Sequence, residues 1–170
     1  MLDGYNGTTL FVSHSRDEVY RICSDIAIMC NGKIDTFGEK KQVFDNPNTI
    51  SAAMLTGCKN ISKAKKIDET TIEATDWGIS FVVKPHLGQM NFIGIRAHFF
   101  KIANENEINS FQIEVIKIIE SPFAITVVLK PNGKSTPIFW EVDKPFWEQI
   151  KKTGMPKFLS AQPDDILLLK

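Results

Sequence analysis

The period of the apolar positions changes several times along the first sixty residues. Thr8 to Val12 is β-branched and apolar without alternation, the pattern of a short strand buried on both faces of a parallel sheet. Ser15 follows as an N-cap, and Asp17 and Glu18 occupy a first helical turn where the helix dipole favours acids. Val19, Ile22 and Cys23 then supply a buried helical stripe. Asp25 to Cys30 reads as a strand, Asn31-Gly32 as a tight hairpin turn, and Lys33 to Phe37 as the strand that returns antiparallel. Two short helices are predicted next. Glu39 to Asp45 stops before Pro47, and the second opens at Asn48 or Thr49, turns Ile50, Ala53 and Met54 inward and ends at Gly57.

Beyond Asn60 the helical spacing gives way to short strands between turn residues. Ile61–Ile67, Thr70–Thr75, Ile79–Lys84 and Phe92–Ala97 are separated by Asp68-Glu69, Asp76–Gly78 and Pro85–Gly88, the spacing of a compact β unit. After a polar break at Asn104–Asn109, Phe111–Ile119 and Ala124–Leu129 form a pair. In its first member Phe111, Ile113 and Val115 share one face. Pro137–Val142 is a further strand, Lys144–Lys152 the one clear helix, and Lys157–Ala161 and Asp165–Leu169 the last strands. The predicted organisation is an α/β unit over residues 1–57 followed by a mainly β unit over residues 58–170.

Charge and cysteine usage narrow the function classes. Twenty basic and twenty acidic side chains give a formal charge of zero, so nothing recommends nucleic acid as a partner. Cys23, Cys30 and Cys58 form no C-x-x-C pair and are odd in number, which reads as reduced thiols and excludes a cysteine metal site. No apolar run reaches the ~20 residues of a membrane span and no export signal opens the chain, so a cytoplasmic location is expected.

The candidate chemistry is concentrated around His14, just past the end of the first apolar segment, where ligands gather in open α/β sheets. Asp17 and Glu18 suit the helix dipole better than an acid/base pair. Arg96 and His98, two apart, are expected on one face of a strand as a cationic patch, with an ordinary polar face as the plainer reading. Ser121, in a Glu-Ser-Pro-Phe turn, together with Lys130, Lys134 and Ser135 at the far turn, forms a candidate oxyanion site, although Glu120 counts against it. Trp77, Trp140 and Trp147 are expected as core or interface anchors, because no basic groove accompanies them. Phe139, Trp140, Phe146 and Trp147 are more aromatic surface than one short stretch can easily bury, which suggests a face for a second copy.

The run SHSRDEVYRICSDIAIMCNGKIDTFGEKKQVFDNP resembles the end of the nucleotide-binding domain of ATP-binding-cassette transporter ATPases, from the switch histidine to the closing Asn-Pro. The phosphate loop G-x-x-x-x-G-K-[ST] and an apolar strand ending in Asp-Glu are missing. LTGCKNIS, TDWGISF and FIGIRAH look like the molybdate, tungstate or sulfate branch. The resemblance implies an α/β remnant of a nucleotide-binding domain followed by an oligomer-binding-fold-like regulatory barrel, the last third of an importer's ATP-binding subunit. It further implies that His14 senses the γ-phosphate, that ATP and magnesium are cofactors of a full-length parent, and that this chain alone binds neither and is inactive. The implied partners are a second copy, membrane permease subunits at the inner face of the cell membrane, and molybdate, tungstate or sulfate. The competing expectation is a free oxyanion-binding or dimerisation module that works without hydrolysis.

Overall fold

A computed structural model describes residues 7–86, 88–132, 134 and 136–170. The first unit opens with helix α1 (Arg16–Ile22), a hairpin of β1 (Asp25–Cys30) and β2 (Lys33–Glu39), then α2 (Lys40–Asp45) and α3 (Ile50–Leu55). Asn31 and Gly32 both take positive φ, 51° and 76°, the conformation a two-residue hairpin turn demands. Ser15 and Thr49 cap α1 and α3 by accepting from Glu18 N and Ala52 N. Ile26 and Ile28 of β1 pack on Val43 and Ala52, a core of four buried apolar residues.

Three expectations for this unit are corrected. Thr8–Val12 pairs with no strand, and Leu10 and Val12 are 91% and 88% exposed. A parallel strand exists only through its neighbours, and the described residues supply none. Helix α1 buries no residue completely: Val19 and Cys23 lean on the small core, while Ile22 faces solvent. In α3 the inward pair is Ala52 and Ala53, and Met54 points out.

The second unit is two curled five-stranded sheets facing each other. One has the order β12-β6-β3-β4-β5, built from β3 (Asn60–Lys66), β4 (Thr71–Ala74), β5 (Ile79–Val82), β6 (Phe92–Ile95) and β12 (Ile166–Leu169). The other has the order β10-β9-β8-β11-β7, built from β7 (Lys101–Ala103), β8 (Phe111–Glu120), β9 (Ala124–Pro131), β10 (Ile138–Asp143) and β11 (Phe158–Ser160). Helix α4 (Lys144–Thr153), capped by Asp143, adds Trp147 and Ile150 to the core between the sheets. Trp77, Phe81, Ile93, Ile95, Val127, Leu129, Ile138, Trp140 and Leu159 fill that core. The architecture is therefore an α/β unit followed by a mainly β barrel-like unit. Strand β7 has no counterpart in the predicted elements, because three residues, Lys-Ile-Ala, carry no period.

Two buried asparagines join the sheets. Asn60, 2% exposed, donates to Ile95 O (3.0 Å) and Phe139 O (2.9 Å) and accepts from Phe139 N (2.7 Å), tying β3 and β6 to β10. Asn109, at φ 59°, donates to Val82 O and Ala161 O and accepts from Val82 N, closing the opposite seam. Each amide meets backbone groups that no strand reaches, so the polar group stabilises the junction instead of weakening the core.

Candidate functional site

The N-terminal candidate is built by local hydrogen bonds around the entry to α1. Ser13 Oγ accepts from Ser15 N (3.0 Å) and donates to the Glu18 carboxylate (3.0 Å), and Ser15 caps the helix. His14 lies between these two serines, exposed, one residue before the N-cap. The arrangement presents an imidazole beside a helix N-terminus on an open face, where it can donate to an anionic oxygen. Asp17 and Glu18 stand in the first turn of α1, and Glu18 is engaged by Ser13.

The joint between the two units is organised by Arg96. Strand β6 ends at Ile95, so Arg96 and His98 lie on a turn closed by Phe99 N to Arg96 O (3.0 Å), which corrects the expected strand placement. The Arg96 guanidinium donates to Phe44 O at the end of α2 and to Thr56 O and Oγ1 at the end of α3. It caps two helix C-termini at once, and its charge suits the negative end of each dipole. Gly57, at φ 101°, takes the left-handed conformation that ends α3, with the Arg16 and Arg96 guanidinium groups close beside it. Ala53 and Cys58 pack on Leu167 and Leu169 beneath the joint.

Beside Arg96 a cleft of about 880 Å³ opens between α1, the end of α2 and the barrel, lined among others by Arg21, Asp45, His98, Phe99 and Asp165. Burial, then the nearby Arg96 charge, pushes the His98 imidazole below its usual 6.5, while Glu141 and Asp165 pull it up and Lys59 pushes it down. Protons therefore bind the unfolded chain first, and the His98 contribution is intact above about 6.5 and lost as pH falls below it. Burial raises the Asp165 carboxyl above 3.8, with the opposite sign: its contribution is full in acid and declines as pH climbs through the folded value. The melting temperature of the wild type should thus fall more steeply from pH 7 to 5.5 than that of His98→Gln. Equal slopes would remove His98 from the account.

The sequence-derived oxyanion group is not brought together. Ser121 Oγ donates to Ala124 O (2.8 Å) and accepts from Ala124 N (3.2 Å), so its hydroxyl locks its own turn. Lys130 lies at the other end of the β8–β9 ladder, where Glu114 pairs it, whereas Glu120 pairs Ile125 beside the Ser121 turn. Six residues of strand, about 20 Å, separate the two ends. Exposed Lys134 runs its stem over Gly78, and Ser135 lies outside the described residues. The proposed aromatic face is also corrected. Trp140 is 1% exposed and donates to Phe100 O, Trp147 is buried, and only Phe146 shows substantial surface, because α4 folds these rings back into the core.

Sequence comparison supplies relatives for this arrangement. The spermidine/putrescine import ATP-binding protein PotA of Mycoplasmopsis synoviae is 35% identical over 66 residues, 39% of this chain and 14% of the relative. The sulfate/thiosulfate import ATP-binding protein CysA 2 of Shewanella oneidensis is 26% identical over 161 residues, 91% of this chain and 43% of the relative. This chain is a relative of ATP-binding-cassette import ATPases. It matches the C-terminal region of these import ATPases and spans less than half of their length. No protein-family model matches it. A solved structure of the cytoplasmic molybdate-binding protein ModG shares 13% identity and a TM-score of 0.45, over 65% of this chain and 95% of that one.

Proposed function

We propose that this chain is the C-terminal portion of an importer's ATP-binding subunit, divided near residue 57 into the end of a nucleotide-binding domain and a regulatory barrel. The observation that carries the reading is the half-built α/β unit. An apolar segment at Thr8–Val12 lies open, His14 stands exposed at its end, and the order from SHSRDE to NGKI resembles that of import ATPases. In the assembled subunit an ATPase core pairs with Thr8–Val12, holds ATP and magnesium, and receives the His14 imidazole at the γ-phosphate. The barrel reports on the cargo, and Arg96 couples it to the ends of α2 and α3. Permease subunits at the inner face of the membrane and a second copy are the partners.

A tetrahedral oxyanion is the cargo class we favour. The 66-residue matches to polyamine importers are too short to take in the whole barrel, whereas the match that covers 91% of the chain is to a sulfate/thiosulfate import protein. A melting series at fixed ionic strength with molybdate, tungstate, sulfate, phosphate and spermidine tests this. A ligand that binds only the folded state at a hundredfold excess over its dissociation constant adds about 2.7 kcal/mol, so one oxyanion should raise the melting temperature by several degrees. A shift with spermidine alone would reverse the cargo assignment. The absence of any shift at millimolar concentration would leave a barrel that regulates without sensing.

A further inference from the structure

Strand β8 pairs with β9 from Ile113 to Glu120, but with β11 only at Phe111 and Gln112, with one further bond from Ile113 N to Lys157 O (3.0 Å). From Glu114 to Glu120 its other edge carries no strand among the described residues, and Ile116, Ile118 and Ile119 along it are 55%, 47% and 41% exposed, with Phe123 at the hairpin tip 89% exposed. Natural edges are guarded by lysine, proline or a bulge. Here the bulge at Ile116 and Lys117 come first, and Ile118 and Ile119 lie unguarded before Glu120, whose carboxylate is held by Lys144 Nζ (2.7 Å). The backbone alternation says which groups are unused. Ser121 N turns inward to Ala124 O, so by the period of two Ile118 and Glu120 turn their N–H and C=O outward.

We propose that this edge is where a second copy of the chain docks, by antiparallel pairing of β8 with β8 about a twofold axis at Ile118. The proposal deepens the second-copy partner named above and holds whatever the cargo. An edge of alternating N–H and C=O is satisfied fully only by another strand, and antiparallel pairing about a twofold axis is complementary to itself. Charge selects the register. An axis at Lys117 would set Lys117 against its own copy and Glu114 against Glu120, whereas an axis at Ile118 opposes Ile118 to Ile118, Ile116 to Glu120 and Lys117 to Ile119, with no like charges facing. It also makes Ile118 a hydrogen-bonded pair, with outward groups on both strands. A single strand edge lies at the small end of specific interfaces, so the dimer is weak and forms at micromolar or higher concentration.

The register is testable by disulfide trapping in the full chain. Opposed residues of a hydrogen-bonded pair have Cα atoms about 5.5 Å apart, within disulfide reach. With Cys23 and Cys30 replaced by serine, Ile118→Cys should cross-link to itself under mild oxidation at least tenfold faster than Thr126→Cys, one strand further in. Sedimentation should show a concentration-dependent dimer for the wild type and a monomer for Ile118→Lys, which should melt as the wild type does in dilute solution. Cross-linking of Ile118→Cys no faster than Thr126→Cys overturns the register. A wild type that stays monomeric to millimolar concentration overturns the dimer itself, and neither result bears on ATP hydrolysis or on oxyanion melting shifts.

Discussion

Asn60→Leu is expected to be among the most destabilising single substitutions in the barrel, at roughly 3–6 kcal/mol. The leucine fits the volume, but it strands three buried partners: the carbonyl oxygens of Ile95 and Phe139 and the N–H of Phe139. Each lost partner costs about 1–3 kcal/mol of uncompensated desolvation. For a chain of this size 1 kcal/mol is about 2–4 °C of melting temperature, so a fall of about 6 °C or more is expected by calorimetry. Asn60→Asp separates hydrogen bonding from packing. Its carboxylate still accepts from Phe139 N but faces two carbonyl oxygens, so burial and repulsion raise its folded pKa above that of an unfolded aspartate, ~3.9. That variant should therefore regain stability as pH falls through the raised value. Ser121→Ala, on an exposed turn, should change the melting temperature by only a degree or two. If Asn60→Leu melts within 2 °C of the wild type, the seam at β3, β6 and β10 does not hold the sheets together.

The periodic parts of this fold were legible in the sequence. β1 and its Asn-Gly turn, the caps at Ser15 and Thr49, α4 and nearly every barrel strand follow from local spacing and turn chemistry, which act within a few residues of the signal. What escaped depends on distant partners. Thr8–Val12 has the composition of a buried strand, but burial needs neighbours that the described residues do not contain. Asn60 and Asn109 look like turn residues, and nothing local shows that each meets backbone more than 25 positions away. Arg96 reads as a surface cation until α2 and α3 bring their carbonyl ends to it. The exposed edge of β8 was hidden for the same reason: the alternation of Phe111, Ile113 and Val115 marks a strand but not how far β11 runs beside it.

Placed behind a phosphate-loop ATPase segment that ends in an Asp-Glu strand, Thr8 onward is expected to complete a hydrolytic unit in which His14→Ala slows turnover by roughly 10²-fold, the scale of losing one transition-state donor. Phosphoryl transfer is catalysed by positioning and charge stabilisation, so a donor aimed at the γ-phosphate should act on the rate far more than on ATP binding. Arg16→Ala, two residues beyond His14 on α1, serves as a neighbouring control. The decisive measurement is the magnesium-dependent phosphate-release rate of this fusion, wild type against His14→Ala, with ATP affinity measured in parallel. A loss near 10²-fold in rate at nearly unchanged affinity is the predicted result, and an unchanged rate, or a collapse of ATP binding with the rate of the bound complex intact, would contradict the assignment of this chain to an import ATPase.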